Sequence, residues 1–133
     1  MEKILHQIKK IIPAKVFTAL QPVYHYALAV FGYFRYRFPS RKIFVIGVTG
    51  TKGKSSTTEI INAILENSGH KTAMVNGIRF KVGKDSTPNK LKMTMPGRVL
   101  VQNYLRKAVN AKCDYFILEI TSEGAKQFRH KFL

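Results

Sequence analysis

At 133 residues the chain is long enough for one domain with a sizeable core and too short to hold two comfortably. Its 23 Lys and Arg against 7 Asp and Glu give a net charge of +16, which suits polyanionic partners (nucleotides, nucleic acid, anionic lipid headgroups) or a solvated basic surface. The single cysteine, Cys113, excludes an internal disulfide framework and fits a reducing compartment, and the scattered histidines form no Cys/His metal cluster with it.

Residues 1–40 read as a helical, aromatic and basic N-terminal segment. Met1 to Ile12 carries Ile4, Leu5, Ile8, Ile11 and Ile12 at helical spacing, and Pro13 interrupts it. Val16 to Phe38 is apolar and rich in Tyr and Phe, yet its uncharged run, Val23 to Phe34, is twelve residues long and contains His25. A bilayer span needs about 20 apolar residues. The expected structure is therefore a helical hairpin that either packs on the next domain or lies on a membrane surface through residues 16–38 and Arg35, Arg37 and Arg41. The late start of the apolar run and the lack of a small-residue cleavage site speak against a secretory signal. Pro39-Ser40 reads as a linker.

Residues 41–133 read as an α/β domain with a P-loop NTPase-like parallel sheet and flanking helices. Ile43 to Val48 is apolar throughout, as in a central strand covered on both faces. A helix is expected from Ser55 to Asn67, with Ile60/Ile64 and Ile61/Leu65 four apart and Ser68-Gly69 ending it. Thr72 to Asn76 follows as a second strand, completing a βαβ unit with a right-handed crossover. Ile78 to Val82 suits a further strand or an arm, and Gly83 to Lys92 an exposed loop. Pro96 suits the first turn of a helix to about Lys112, with Leu100/Tyr104/Ala108 and Val101/Leu105/Val109 as its apolar rows. Tyr115 to Ile120 is a third strand, and a further helix starts near Gly124.

Chemistry concentrates at two strand ends. Between the first strand and its helix stand Gly47, Gly50 and Gly53 at intervals of three, followed by Lys54-Ser55-Ser56-Thr57. Glycines let a backbone wrap closely around phosphate oxygens, and the N–H groups of a helix start point at the anion. Lys54 would then reach the terminal phosphates and the Ser55 hydroxyl would hold Mg2+. The common phosphate-loop pattern wants glycine at position 48, where this chain has Val48. At the end of the third strand, Glu119 is a lone acid in an apolar run. It reads as a second Mg2+ ligand, or as a glutamate facing solvent on a half-covered strand.

Thr49-Gly50-Thr51-Lys52-Gly53-Lys54-Ser55-Ser56-Thr57 resembles the ATP loop of the Mur ligases, usually Thr-Gly-Thr-Asn-Gly-Lys-Thr-Thr-Thr, a family that also uses the three-residue glycine spacing. Leu118-Glu119-Ile120-Thr121-Ser122-Glu123-Gly124-Ala125-Lys126-Gln127-Phe128-Arg129 resembles the Met-Glu-Val-Ser-Ser-His-Ala-Leu-x-Gln-x-Arg segment of the branch that adds the third amino acid to UDP-MurNAc-dipeptide. Between them, Met93-Thr94-Met95-Pro96 stands where that branch has a Thr-Thr-Pro turn. The resemblance implies that Gly50, Thr51, Lys52, Gly53, Lys54, Ser55 and Ser56 bind the ATP phosphates, with Ser55 and Glu119 on Mg2+. It implies that Lys54 and Glu119 act in catalysis and that Thr94, Thr121, Gln127 and Arg129 contact the UDP-MurNAc-peptide. Lys52, Met95 and Glu123 depart from the family's Asn, Thr and His.

The implied reaction is ATP-dependent amide formation in peptidoglycan precursor synthesis: a substrate carboxylate attacks the γ-phosphate, and the amine of an amino acid displaces phosphate from the acyl phosphate. The resemblance also implies a cytoplasmic enzyme, membrane-associated only if the aromatic segment touches a bilayer. Family members have three domains, so a 133-residue chain is expected to be an incomplete form that cannot ligate alone. Folylpolyglutamate synthase shares the ATP-domain architecture, but the Thr94/Pro96 turn and the Gln127/Arg129 pair argue against it. A non-catalytic nucleotide- or membrane-binding module is a further alternative, whereas no nucleic-acid recognition motif accompanies the lysines.

Overall fold

The computed structural model describes residues 14–91 and 93–127. Helix α1 spans Ala14–Arg35 and leads through a 3-10 turn, Pro39–Lys42, into β1, Phe44–Val48. Then follow α2 (Lys54–Asn67), β2 (Thr72–Val75), β3 (Arg79–Val82), β4 (Asp85–Pro88), α3 (Arg98–Asn110), β5 (Tyr115–Glu119) and the short α4 (Ser122–Lys126). The helix expected over Met1 to Ile12 lies outside the described residues. Val16 to Phe38 forms one long helix and its C-terminal turn, and the supposed Pro39-Ser40 linker is the 3-10 turn, held against α3.

The five strands form one sheet in the order β1-β5-β2-β3-β4. β1, β5 and β2 run parallel, with Val48 beside Glu119 and Val75 beside Leu118. The sheet is thus mixed rather than wholly parallel, because β3 and β4 extend it as an antiparallel hairpin. Its two-residue turn puts Gly83 at φ 59°, the positive φ that a tight hairpin turn requires. The expected loop over Gly83 to Lys92 therefore contains a strand. All four residues of β4 are exposed, so it lacks the alternation of a half-buried strand, and Pro88 falls at its end on the sheet edge.

The first strand departs further from expectation. Among the described residues β1 pairs only with β5 and so forms an edge, with Phe44 67% exposed and Gly47 also exposed. An apolar run reports affinity for cover, and strand order decides whether cover is there. β5 instead lies between the other two parallel strands, β1 and β2.

The two faces of the sheet differ chemically. Ala73, Val75, Phe116 and Leu118 join Val101, Leu105 and Ala108 of α3 in the hydrophobic core. Complete burial of each larger apolar side chain is worth about 1.5–3 kcal/mol. The alternate residues of β2 face α2 and make a polar seam: Thr72 Oγ1 donates to Asn62 Oδ1 at 2.6 Å, and Asn76 Nδ2 donates to Thr58 Oγ1 at 2.9 Å. Lys81, although buried, donates to Glu66 and Thr72. Arg79 clamps Glu59 with two nitrogens at 2.9 and 2.5 Å. Because the seam takes the inner face of α2, Ile60 and Ile64 point outward, both largely exposed.

Three helices end in one hydrogen-bond pattern, in which an N–H five residues on returns to the last full turn: Phe38 to Tyr33 O, His70 to Leu65 O and Cys113 to Ala108 O. Only the α2 end uses glycine, Gly69 at φ 85°; Arg37 and Lys112 take φ 56° without it. At Arg37 the strain is held by α3, where Arg106 donates to the carbonyls of Tyr36 and Arg37 and Asn103 donates to the Tyr36 hydroxyl. These bonds fasten α1 to the domain.

Arg79 lowers the Glu59 pKa, and Lys81 lowers that of Glu66, from an ordinary 4.5. A depressed carboxyl pKa contributes stability that is complete above the unfolded value and disappears as pH falls through the folded one. Denaturant midpoints measured from pH 7 downward should therefore hold until near 4.5 and then fall, and the double substitution Glu59→Gln/Glu66→Gln should flatten that fall.

Candidate functional site

The carboxyl ends of β1, β5 and β2 lie together at one end of the parallel strands, where ligands of open α/β sheets collect. Ile120 N donates to Val48 O at 2.8 Å, tying the exit of β5 to the start of the glycine loop. In that loop Gly53 sits at φ 76°, a left-handed conformation that disfavours side chains, and it caps α2 with no side-chain hydrogen bond. The first turn of α2 also lacks an acidic residue. Its N–H groups thus present the positive end of the helix dipole with no acidic residue of the helix's own first turn to offset it. Gly47 serves a different end: a Cβ there would stand 2.8 Å from Ile120 Cδ1, so it makes room for that side chain.

Lys54, first residue of α2, turns its ammonium onto the loop and donates to Gly50 O at 2.9 Å and more weakly to Thr51 O at 3.4 Å. One residue on, Ser55 Oγ donates to Glu119 Oε2 at 2.6 Å. Glu119 is only 3% exposed, which removes the reading of it as a glutamate facing solvent. The same oxygen accepts from Gly77 N at 2.9 Å. A Cβ at Gly77 would lie 3.1 Å from Thr94 Cγ2, 3.2 Å from Ser55 Oγ and 3.5 Å from Glu119 Oε2. Loop, carboxylate and the Thr94 turn therefore meet around one glycine.

Gly77 and its neighbour Asn76 escaped the sequence reading. Asn76 is fully buried, and its Oδ1 accepts from Ile78 N and Arg79 N, which shapes the turn that aims Gly77 N at Glu119. The available signal was an Asn-Gly pair at the end of an apolar strand, a turn signature.

The other sequence candidates sit apart from this cluster or in local roles. Lys52 and Ser56 are exposed. Thr121 caps α4, its Oγ1 accepting from Gly124 N at 3.0 Å. Gln127 Nε2 donates to Glu123 Oε1 at 3.1 Å, and Gln127 O accepts from Arg98. Arg129 lies outside the described residues. Met95 is fully buried, and a Cβ at Gly124 would collide with its thioether. Met95, one of the departures from the motif, and Gly124, which stands at the motif's alanine position, fit each other.

The donor set suits a hard divalent cation: a hydroxyl and a carboxylate converge, and Mg2+ prefers one or two such protein oxygens with phosphates and water completing its shell. Among the described residues no group of three His, Cys, Asp or Glu forms an all-protein metal cage.

Residues 48–133 match the model of the Mur ligase middle domain. The chain belongs to the Mur ligase family. A UDP-N-acetylmuramyl-tripeptide synthetase of Treponema pallidum is 36% identical over 89 residues, covering 67% of this chain and 16% of that protein. A UDP-N-acetylmuramoyl-L-alanyl-D-glutamate--2,6-diaminopimelate ligase of Syntrophomonas wolfei is 35% identical over 98 residues, covering 74% of this chain and 20% of its own length. The fold is similar to the solved structure of a ligase with the latter title, with a TM-score of 0.65 at 21% identity over 77% of this chain and 21% of that one. This Mur ligase chain thus spans about a fifth or less of the proteins it matches.

The packing of Met95 under Gly124 is open to measurement. Gly124→Ala should destabilise the fold by about 1–3 kcal/mol through overpacking, in spite of alanine's better helix propensity. Met95→Thr alone should also destabilise it, by the cavity it leaves, and the double variant should cost clearly less than the sum of the two. Denaturation of the two single variants and the double variant gives the coupling.

Proposed function

We propose that residues 41–133 form part of the central ATP-binding domain of a cytoplasmic peptidoglycan-precursor ligase, one that joins an amino acid to UDP-MurNAc-dipeptide through an acyl phosphate. The observation that carries this reading is the convergence of Ser55, Glu119 and Gly77 at the mouth of the glycine loop. Backbone amides from Gly50 to Ser56 receive the ATP phosphates, and Lys54 exchanges the carbonyls of Gly50 and Thr51 for phosphate oxygens. Ser55 and Glu119 hold Mg2+. When bound there, the ion would supply positive charge to the phosphate oxygens.

The chain's own residues then orient and shield. Gly77 N donates to Glu119 and fixes the carboxylate, so that it and the Ser55 hydroxyl would be held in place to receive the ion. Thr94 is assigned to the sugar nucleotide by the motif, and its position in contact range of the same glycine supports that assignment. Thr121, Gln127 and Arg129 are assigned to the muramoyl-peptide by motif alone. Met95, buried in the core, contributes no hydroxyl, so this turn offers the substrate one side-chain donor where the motif has two. A muramoyl-peptide substrate is preferred to a folate because both relatives described above carry muramoyl ligase names.

Calorimetric titration of the 133-residue chain with ATP, with and without Mg2+, tests the phosphate and metal assignments together. Lys54→Ala should weaken binding about ten- to a hundredfold, as expected for loss of charge-assisted hydrogen bonds. Glu119→Gln should leave metal-free binding in place and abolish the gain from Mg2+. Binding that ignores Lys54, or a Mg2+ gain that survives Glu119→Gln, would overturn the reading.

A further inference from the structure

Helix α1 has two apolar faces, and among the described residues only one of them is covered. Ala29 and Gly32 are buried towards α3, where a Cβ at Gly32 would stand 3.4 Å from Gln102 Cγ and 3.7 Å from Val99 Cα. On the opposite side Val23, Ala27, Phe31 and Phe34 follow one another at spacings of four, four and three, a single stripe along a helix. Val23 is 65%, Phe31 58% and Phe34 63% exposed, with Tyr24 beside them at 56%. The hydrogen bonds from Asn103 and Arg106 fix which face looks outward.

We propose that this stripe is a docking surface for an anionic lipid bilayer. Three observations choose a bilayer over other occupants. Residues 14–42 contain five Lys and Arg and no Asp or Glu, so the surface complements an anionic partner. Four of the five gather where the stripe ends, with Arg35, Arg37, Arg41 and Lys42 all exposed. The Arg35 guanidinium lies 5.8 Å from the Tyr36 ring centre and that of Arg41 lies 5.7 Å from Phe38, the mix of aromatic and cationic groups suited to the headgroup level. A second copy is disfavoured, because pairing two such faces would bring together cations with no acid in the segment and chains each carrying +16.

The mode of attachment follows from length. Among the described residues no helix is long and apolar enough to cross a membrane. With one face held on α3, the helix lies along the surface and sinks only its outer residues into the headgroup boundary, a binding mode that adds apolar burial to attraction for anionic lipid. The family match begins at Val48, so α1 lies outside it and the proposal stands independently of the ligase reading.

The test uses the whole chain and vesicles of phosphatidylcholine with and without phosphatidylglycerol. Co-sedimentation should require phosphatidylglycerol, and Val23→Gln/Phe31→Gln, which leaves the charge untouched, should reduce it about tenfold or more. Ile60→Gln/Ile64→Gln, on the exposed face of α2, should leave it unchanged. The chain has no tryptophan, so Phe31→Trp gives an unambiguous probe whose emission should shift to the blue and resist an aqueous quencher only when anionic vesicles are added. Equal binding by the Val23/Phe31 variant, equal loss in the Ile60/Ile64 variant, or an unshifted probe would overturn the proposal. A probe already shielded before vesicles are added, in a species of twice the mass, would overturn it in favour of self-association.

Discussion

One hydrogen bond holds the functional end of this molecule together. Ser55 Oγ and Glu119 Oε2 lie 2.6 Å apart across 64 residues of sequence, joining the first turn of α2 to the tip of β5, the middle one of the three parallel strands. Burying a carboxylate is costly unless donors replace its water, and here a hydroxyl and the Gly77 amide do so. Because β5 runs between β1 and β2, placing its terminal carboxylate also places the glycine loop on one side and the Asn76-Gly77 turn on the other. Geometry at the site is therefore a property of three strands and not of a loop alone. The polar seam beneath it, from Thr58 and Asn76 through Asn62 and Thr72 to Glu66 and Lys81, sets α2 on the sheet at a fixed register.

How much of this was legible beforehand depended on whether the signal was local. Gly53 before Lys54-Ser55 marks a helix start because the backbone itself demands it, and Gly69 marks the end of α2 for the same reason. Of the apolar rows of α3, Val101, Leu105 and Ala108 are buried in the core as their spacing implies, and Tyr104 packs against it. Arg37 and Lys112 close their helices in a left-handed conformation without glycine, and tertiary support of that kind, visible at Arg106, leaves no mark in nearby sequence. Strand order is equally silent. Nothing in Ile43 to Val48 tells an edge from a centre, and β4 is too polar to betray itself.

The site divides along the same line. Lys54, Ser55 and the loop glycines were legible from spacing, and Glu119 from being the one acid in an apolar strand. Their meeting with Gly77 was not, because a glycine contributes there by what it lacks: room for Thr94 and an amide turned to a carboxylate. Met95 teaches the converse. As a departure from a polar motif it looks like a lost contact, whereas in the fold it is a core residue whose bulk is matched by the missing side chain of Gly124.

The edge position of β1 has a consequence for how copies of the molecule behave towards one another. An unpaired strand edge offers a row of backbone donors and acceptors to any other extended chain, and Phe44 adds apolar adhesion to that row. Long-range repulsion between chains of charge +16 keeps such edges apart in dilute buffer. At physiological ionic strength, however, its reach shrinks to about 8 Å. What remains at close range is the brevity of the strand, five residues, and the exposed cations at its two ends, Arg41 and Lys42 before it and Lys52 after it. Colloidal behaviour is thereby tied to the loop that precedes Lys54: a polyanion neutralising those lysines would also remove the charge that keeps one sheet from annealing to the next.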